Sequence, residues 1–170
     1  MVESKTIPQY KSILFYKFVN LKDPEMAVLW QKELCNRLGL KGRIILSPHG
    51  INGTLNGDIY NLKRYKSQMN ASGLFRGIHY KWSESDGGEY PKLSVKARDE
   101  LVSFKAPDKI EIDDELGVVS EGEKLRPKEL HEFIENNKED VLFFDGRNLY
   151  ESEVGKFKDA VVPIVNTSRE

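Results

Sequence analysis

Two charged residues follow one of the most apolar segments of the chain. Residues Val141–Phe144 form an uninterrupted apolar run, and Asp145 and Arg147 come directly after it. In open α/β sheets, ligands bind where the strands end, so this pair is a candidate for the border of an active site. The pair could equally stabilise its own loop, with Glu151 pairing with Arg147 across one helical turn. We favour this structural role, in which Asp145 and Arg147 support active-site residues without reacting themselves.

Residues that could bind a metal or act as nucleophiles are sparse. The three histidines, His49, His79 and His131, are dispersed and lack carboxylate partners at metal-ligand spacing, so no metal site is predicted. The chain has one cysteine, Cys35, which excludes an internal disulfide and a cysteine-rich zinc site. Because Cys35 follows Leu34 in an amphipathic helical pattern, we expect a buried and inert thiol.

A group of basic residues could bind the phosphates of RNA. Lys92, Lys96 and Arg98 share one parity along a predicted strand whose other face is apolar, which predicts an exposed basic stripe. Arg43 lies on another predicted strand and joins this group. His49, in a predicted turn, could approach a phosphate or a base, although a turn histidine is more often solvated.

Aromatic residues near these cations could stack on unpaired bases. Tyr80 and Trp82 share one face of a predicted strand, and Lys81 takes the other face. If the aromatic face points into the protein, both residues belong to the core, and if it points outward, both could stack on bases. We favour the core.

The first 105 residues alternate between strand and helix signals. Asp23 with Pro24, and later Asp58, begin helices whose apolar residues recur every three or four positions. The order strand, helix, strand, strand, helix, strand predicts an α+β fold, a ferredoxin-like split βαβ sandwich. A further strand near 101–104 could extend the sheet. The predicted strands cover residues 11–20, 42–47, 51–55, 78–82 and 93–97.

Charge divides the chain into two parts. Residues 1–105 carry 17 Lys+Arg and 10 Asp+Glu, whereas residues 106–170 carry 9 and 17. A basic domain favours a polyanionic ligand such as RNA. We predict a basic ferredoxin-like domain over 1–105, an acidic linker over 106–124 and an incomplete α/β segment over 125–170.

The second part is predicted to be incomplete because of its apolar strand. A run such as Val141–Phe144 suits a strand that is buried on both faces, and such a strand needs several neighbours. Only about 25 residues follow it, fewer than repeated βα units require, so we expect the domain to continue beyond Glu170.

The sequence also carries no membrane or export signal. The longest uninterrupted hydrophobic run, Met26–Trp30, has five residues, against roughly 18 for a membrane-spanning helix. The first ten residues lack the features of a signal or transit peptide. We therefore expect a cytoplasmic protein without membrane contact.

Specific motifs resemble a known family. Residues 139–163 place Asp-x-Arg after an apolar run, then Glu, Gly-x-Phe, Ala and Pro, and so resemble the opening of a rhodanese domain. Other segments resemble the N-terminal domain of the rhodanese-containing tRNA uridine hydroxylases. These are FYKF at 15–18, GLKGRIILSPHGINGTLNG at 39–57, PKLSVK at 91–96 and DELVS at 99–103.

The resemblance implies an oxygen-dependent enzyme that converts the wobble uridine of certain tRNAs to 5-hydroxyuridine. The implied partner is the anticodon loop of tRNA, and the implied co-substrate is molecular oxygen, with no cofactor identified. The family's catalytic cysteine lies in a rhodanese loop, expected here beyond Glu170, so no catalytic residue is predicted within the chain. By the same resemblance, Asp145 and Arg147 border the active-site region. A rhodanese-type sulfurtransferase and a non-catalytic RNA-binding remnant stay open as alternatives.

Overall fold

The computed structural model describes residues 9–101, 110–113, 117–119, 122–123, 125–137 and 141–165. The chain divides into two units, the first formed mainly by residues 1–119 and the second mainly by 120–170. In the described residues, no helix is both long enough and apolar enough to cross a bilayer.

The first unit contains a five-stranded sheet and two helices. Its strand order is β4-β1-β3-β2-β5, antiparallel throughout except that β5 runs parallel to β2. Strands β1 to β4 have the ferredoxin-like arrangement, which confirms the predicted α+β fold. The elements are β1 Tyr10–Phe18, α1 Pro24–Arg37, β2 Lys41–Ser47, β3 Gly50–Asp58, α2 Ile59–Ala71, β4 Tyr80–Glu84 and β5 Leu93–Ala97.

Both helices begin at the predicted caps. Asp23 Oδ1 accepts a hydrogen bond from the Met26 amide at 2.9 Å, and Pro24 occupies the first turn of α1. Asp58 Oδ1 accepts from the Tyr60 amide at 2.8 Å at the start of α2. Each carboxylate satisfies an amide that has no partner within its helix, which fixes where the helix begins.

The core of this unit lies between the two helices and one face of the sheet. We call the other face the open face, because neither helix of the first unit, α1 or α2, covers it. Alternate residues along each strand therefore have different surroundings. On β1, Ile13 and Phe15 are buried, whereas Leu14 and Tyr16 are 45% and 52% exposed. The largest buried side chains of the core are Tyr65, Phe15, Phe75, Ile13, Leu34, Ile44, Leu46, Ile51, Leu55, Leu62 and Met69.

The segment predicted as an acidic linker contains a short hairpin. Strands β6, Ile112–Asp113, and β7, Gly117–Val118, pair in antiparallel register. The strand predicted near 101–104 falls almost entirely on residues 102–104, which lie outside the described residues.

The second unit has two short helices, α3 Pro127–Asn136 and α4 Leu149–Val154. The segment Val141–Phe144, predicted as a strand that needs several neighbours to be buried, forms no regular strand and is partly uncovered. A single parallel bridge joins Phe144 to Val161, and Leu142 and Phe144 are 74% and 67% exposed. With one bridging partner among the described residues, the run has no neighbouring strands that could bury both its faces.

Candidate nucleic-acid interface

Register aligns side chains of the open face into rows that cross the sheet. The first row joins all five strands and contains Lys81, Leu14, Thr54, Arg43 and Ser94 in that order. The second row crosses four strands and contains Tyr16, Asn52, Ile45 and Lys96. Neighbouring strands lie about 4.8 Å apart, so each row is a continuous band of side chains.

These rows form the floor of a depression that we call the open-face groove. Its volume is about 610 Å³, and the loop before β5 borders it. Among the described residues that line it, two are basic and none is acidic. The groove therefore combines positive charge with neutral polar and apolar surface. Its lining includes Leu14, Arg43, Ile45, Asn52, Thr54, Tyr90 and Lys92.

The structure brings three of the predicted RNA-binding residues to this face. Arg43 and Lys92 both line the groove, and Lys96 is exposed and lies opposite Ile45 in the second row. Val95, between the two predicted lysine positions, is buried. The predicted basic stripe with an apolar reverse face is therefore present, and RNA binding by it stays a prediction.

The other two RNA-binding candidates lie towards one end of the sheet. Arg98 is exposed, its amide donates to the Leu46 carbonyl at 2.8 Å, and its guanidinium donates to the Ala97 carbonyl at 3.2 Å. His49 occupies the turn between β2 and β3 and is half-buried. Its Nδ1 is buried and has no hydrogen-bond partner among the described residues. This imidazole is less solvated than a turn position suggests.

The favoured core position of the two predicted aromatics is correct for Tyr80. Tyr80 is 7% exposed, and its ring centroid lies 5.4 Å from that of Phe15 on the helix-covered face. The predicted core position is wrong for Trp82, which is 39% exposed, although it has the same parity and lies opposite Ile13 on the neighbouring strand. Both residues therefore belong to the helix-covered side and not to the open face.

The exposed aromatic surface of the open face comes instead from β1. Tyr16 is 52% exposed, and its ring contacts that of Phe18 edge-on, with the centroids 6.3 Å apart. Sequence reasoning missed both residues because the strand is apolar at both parities, so periodicity does not reveal its outer face. The neighbouring strand β3 carries the signal that could have identified the outer face of β1. Its polar residues Asn52 and Thr54 alternate with Ile51, Gly53 and Leu55 and so mark the side that faces away from the helices.

In the second unit, Asp145 and Arg147 form a two-point ion pair. Arg147 Nε donates to Asp145 Oδ1 at 2.9 Å, and a terminal guanidinium nitrogen donates to Oδ2 at 2.6 Å. The same nitrogen donates to the Gly155 carbonyl at 2.6 Å. Hydrogen bonding to Arg147 lowers the pKa of Asp145 to about 2, and the pair raises the pKa of Arg147. The geometry suits the favoured structural role, since Arg147 ties the bridge segment to the end of α4.

Arg147 and Glu151 form no direct ion pair, although the charge of Glu151 is one of the causes that raise the pKa of Arg147. The Glu151 carboxylate accepts a hydrogen bond from Asn148 Nδ2 at 2.7 Å, at the start of the same helix. Arg147 is engaged by Asp145 and Gly155 instead. Asp145 and Arg147 also line a depression of about 690 Å³ together with Phe143 and Phe157, but a part in catalysis stays a prediction.

Comparison with known families decides where the chain belongs. The model of the UPF0176 acylphosphatase-like domain matches residues 10–101, just over half of the chain. The chain belongs to the UPF0176 family. The match includes the whole five-stranded sheet of the first unit, and with it the open-face groove. The rhodanese-like motif at 139–163 lies outside the matched residues and stays a prediction.

Relatives of this UPF0176 protein extend the similarity to almost all of its length. It is 49% identical over 95% of its residues to a protein named tRNA uridine(34) hydroxylase from Corynebacterium diphtheriae. It is 52% identical over 94% of its residues to a protein of the same name from Rhodococcus erythropolis. These alignments cover 52% and 56% of the two relatives, so the chain spans about half the length of the curated relatives it matches.

Solved structures are more distant from the UPF0176 chain. An acylphosphatase from Coxiella burnetii aligns with a TM-score of 0.36 and 13% identity, over 56% of this chain and 100% of that one. The ferredoxin-like fold is established here by the strand order and the helix positions given above.

Cys35 of the UPF0176 chain is buried within α1, as predicted. Burial raises the pKa of its thiol to about 12, so the reactive thiolate does not form near neutral pH. Among the described residues, no three His, Cys, Asp or Glu side chains come together as a metal site would require.

Proposed function

We propose that this chain is the tRNA-binding part of a protein that hydroxylates the uridine at position 34 of tRNA, the wobble position. The observation that carries the proposal is the identity of 49% and 52%, over nearly the whole chain, to relatives named tRNA uridine(34) hydroxylase. Similarity of that extent covers the sheet and the open face as well as the second unit. A tRNA substrate also favours the cytoplasm as the location.

The proposed reaction replaces the hydrogen at C5 of uridine with a hydroxyl group. We take molecular oxygen as the oxidant, as the family resemblance implies. One oxygen atom would enter the new C5–OH group and the other would leave as water, which requires two protons and two electrons from a reductant such as a thiol pair. Cys35 is unsuited to the catalytic role, because its thiol is buried and its pKa is about 12. We therefore propose that the catalytic cysteine lies outside residues 1–170 and that this chain binds and presents the substrate.

The open face is the proposed contact with the anticodon loop. Arg43, Lys92 and Lys96 share this face, and cations so arranged bind phosphates whatever the base sequence. The excess of basic residues in positions 1–105 adds a longer-range attraction for the tRNA polyanion. Residues of the second unit, including Asp145 and Arg147, would then support the catalytic segment.

Mass spectrometry of tRNA nucleosides tests the reaction. A strain without the gene is compared with strains complemented by the complete reading frame or by residues 1–170. We expect 5-hydroxyuridine and its derivatives to disappear on deletion and to return only with the complete reading frame. Unchanged 5-hydroxyuridine would contradict the proposal, and a change confined to thiolated nucleosides would favour a sulfurtransferase instead.

A matched pair of variants tests the basic contact. The double change Arg43→Ala and Lys96→Ala, made in the complete protein, should lower 5-hydroxyuridine and weaken tRNA binding with a reduced salt dependence. The double change Lys63→Ala and Arg64→Ala is the control, because both residues are exposed cations of α2 on the helix-covered side and the same number of charges is removed. Equal losses in the two proteins would contradict a specific role for the open face.

A further inference from the structure

Three polar side chains of the open-face groove have unused hydrogen-bonding capacity. Within the described residues, the side chains of Arg43, Asn52 and Thr54 make no hydrogen bond and no ion pair, although all three line the same groove. Asn52 and Thr54 are half-buried. Neither side chain is among the buried groups that lack a partner, so water can reach their polar atoms in the free protein. A few convergent polar groups on a partly apolar groove are typical of a binding site, where a ligand can replace that water.

Asn56 provides a contrast on the same strand and the same face. Its Nδ2 donates to Glu89 Oε2 at 2.8 Å and to Ser12 Oγ at 3.2 Å, and it also contacts Ser85 Oγ. Asn56 is thus used by the fold, whereas Asn52, four residues earlier, is not. The difference separates a structural asparagine from one that is available for recognition.

The same Asn56 network shapes the wall of the groove. Ser85 Oγ donates to Glu89 Oε2 at 2.5 Å and accepts from the Gly87 amide at 2.9 Å. These contacts attach the loop after β4 to the centre of the sheet. The loop continues into Tyr90, Pro91 and Lys92, which border the groove. The Gly42 amide also donates to the Lys92 carbonyl at 3.2 Å, and contacts of this kind reduce the ordering that a ligand would have to impose on the wall.

The groove and its surroundings match the parts of one nucleotide. Leu14 and the exposed ring of Tyr16 offer a surface for the face of a base, since Tyr16 adjoins Asn52 in the second row. Asn52 and Thr54 offer donors and acceptors for its edge. Arg43 and Lys92 offer positive charge for a phosphate, and no described acidic residue lines the groove to oppose it.

We propose that the open-face groove binds an unpaired nucleotide of RNA, with the base on Leu14 and Tyr16, its edge at Asn52 and Thr54, and its phosphate at Arg43. This inference rests on the proposed function only for the choice of RNA. It goes further because the groove would contact a base directly, whereas the basic stripe alone would bind the phosphates of any polyanion. A base inside a duplex is stacked on both faces, so the groove selects single-stranded segments.

Binding of short oligonucleotides to residues 1–170 tests this inference. The probes are a fluorescently labelled single-stranded RNA heptamer, the same heptamer with abasic sugars, and a duplex of equal length. We expect the base-bearing single strand to bind about tenfold more tightly than the abasic strand, from the usual worth of one stacked base. The duplex should bind no better than the abasic strand.

Single substitutions distinguish the contribution of the base to the affinity from that of the phosphate. Tyr16→Ala and Asn52→Ala should each weaken the base-bearing strand about five- to tenfold and change the abasic strand less than twofold. Tyr16→Phe should restore the stacking contribution. Arg43→Ala should weaken both strands. The matched controls are Tyr60→Ala and Asn36→Ala, exposed positions on the two helices, which should leave both affinities unchanged.

The outcomes keep this inference distinct from the proposed function. Equal affinity for base-bearing and abasic strands, or no effect of Tyr16→Ala and Asn52→Ala, would overturn the base-reading groove while 5-hydroxyuridine still depended on the gene. Failure to bind any of the probes would also overturn it. If Tyr16→Ala instead abolished self-association in sedimentation, the groove would be an interface between copies of this chain and the inference would be wrong.

Discussion

Gln31 on α1 and Tyr65 on α2 form a buried hydrogen bond between the two helices. The Tyr65 hydroxyl donates to Gln31 Oε1 at 2.7 Å, and both side chains are inaccessible to solvent. Gln31 Nε2 in turn donates to Met69 Sδ at 3.1 Å. The glutamine is therefore satisfied at both ends of its amide, and the helices are held in one relative position over the sheet.

Removing one partner of this hydrogen bond should lower the stability of the protein more than removing both partners. Tyr65→Phe leaves Gln31 Oε1 buried without a donor, which should lower the free energy of unfolding by about 1–3 kcal/mol. In the double variant Tyr65→Phe with Gln31→Leu, the buried amide without a partner is gone, so part of the lost stability should return. Urea unfolding followed by circular dichroism measures the stability of the single and the double variant. Tyr60→Phe, at an exposed position, is the control. A Tyr65→Phe protein as stable as the parent would contradict the prediction.

Gly50 is required where β3 follows the turn. Its φ is +134°, and an added Cβ would lie 2.1 Å from the Lys17 carbonyl oxygen on the neighbouring strand. Gly50→Ala should therefore destabilise the first unit by about 2–4 kcal/mol. Gly39→Ala is the matched control, since Gly39 also has a positive φ, of +62°, but faces open space. Equal thermal stabilities of the two variants would exclude the steric explanation.

The carboxyl group of Asp145 should titrate near pH 2. The pKa of Asp145 is lowered from 3.8 to about 2, chiefly because Arg147 donates hydrogen bonds to its charged form. A lowered folded-state pKa stabilises the fold above the unfolded value, so this contribution is present above about pH 4 and is lost as the pH falls through about 2. Carboxyl ¹³C NMR measures the midpoint. It should return towards 3.8 in Arg147→Gln and stay low in Lys158→Gln, and a low midpoint without Arg147 would refute this cause.

The second unit should be cleaved by proteases before the first. Its described residues include large exposed apolar side chains, with Leu142, Val154 and Ile164 at 74%, 91% and 88% exposure, so little apolar burial protects it. Brief trypsin digestion should cut after Arg147, Lys156 or Lys158 while the region 10–101 stays intact. Mass spectrometry of the fragments identifies the sites. Uniform resistance along the chain would show that the second unit is as stable as the first.

The thiol of Cys35 should not react with thiol reagents in the folded protein. Burial raises its pKa to about 12, so both access and ionisation oppose attack on a disulfide reagent. The disulfide reagent DTNB at pH 8 should release no chromophore from the native chain and one equivalent in denaturing urea. A rapid reaction without urea would disprove the buried position.

Sequence reasoning predicted the elements whose signals are local. Asp23 and Asp58 mark helix starts, because a cap depends only on the next three residues. The alternation around Lys92, Val95 and Lys96 likewise predicted which side of β5 is exposed. These features need no knowledge of distant parts of the chain.

The features that sequence reasoning did not predict depend on partners elsewhere in the chain. Whether Tyr16 or Phe15 faces the helices cannot be read from a strand that is apolar on both sides. The groove needs register between strands, which places Arg43, Thr54 and Leu14 side by side. The segment Val141–Phe144 forms no regular strand for the same kind of reason, since a strand buried on two faces requires neighbours.

The burial of Cys35 gives the chain a practical property. Since the sequence has no second cysteine, a thiol introduced at an exposed position would be the only one open to maleimide chemistry. Lys96→Cys would carry a photocrosslinker at the β5 end of the second row, and Lys63→Cys would carry it on the helix-covered side of the domain. The pattern of crosslinked nucleotides would then report the polarity of a bound strand without a cysteine-free background having to be made first.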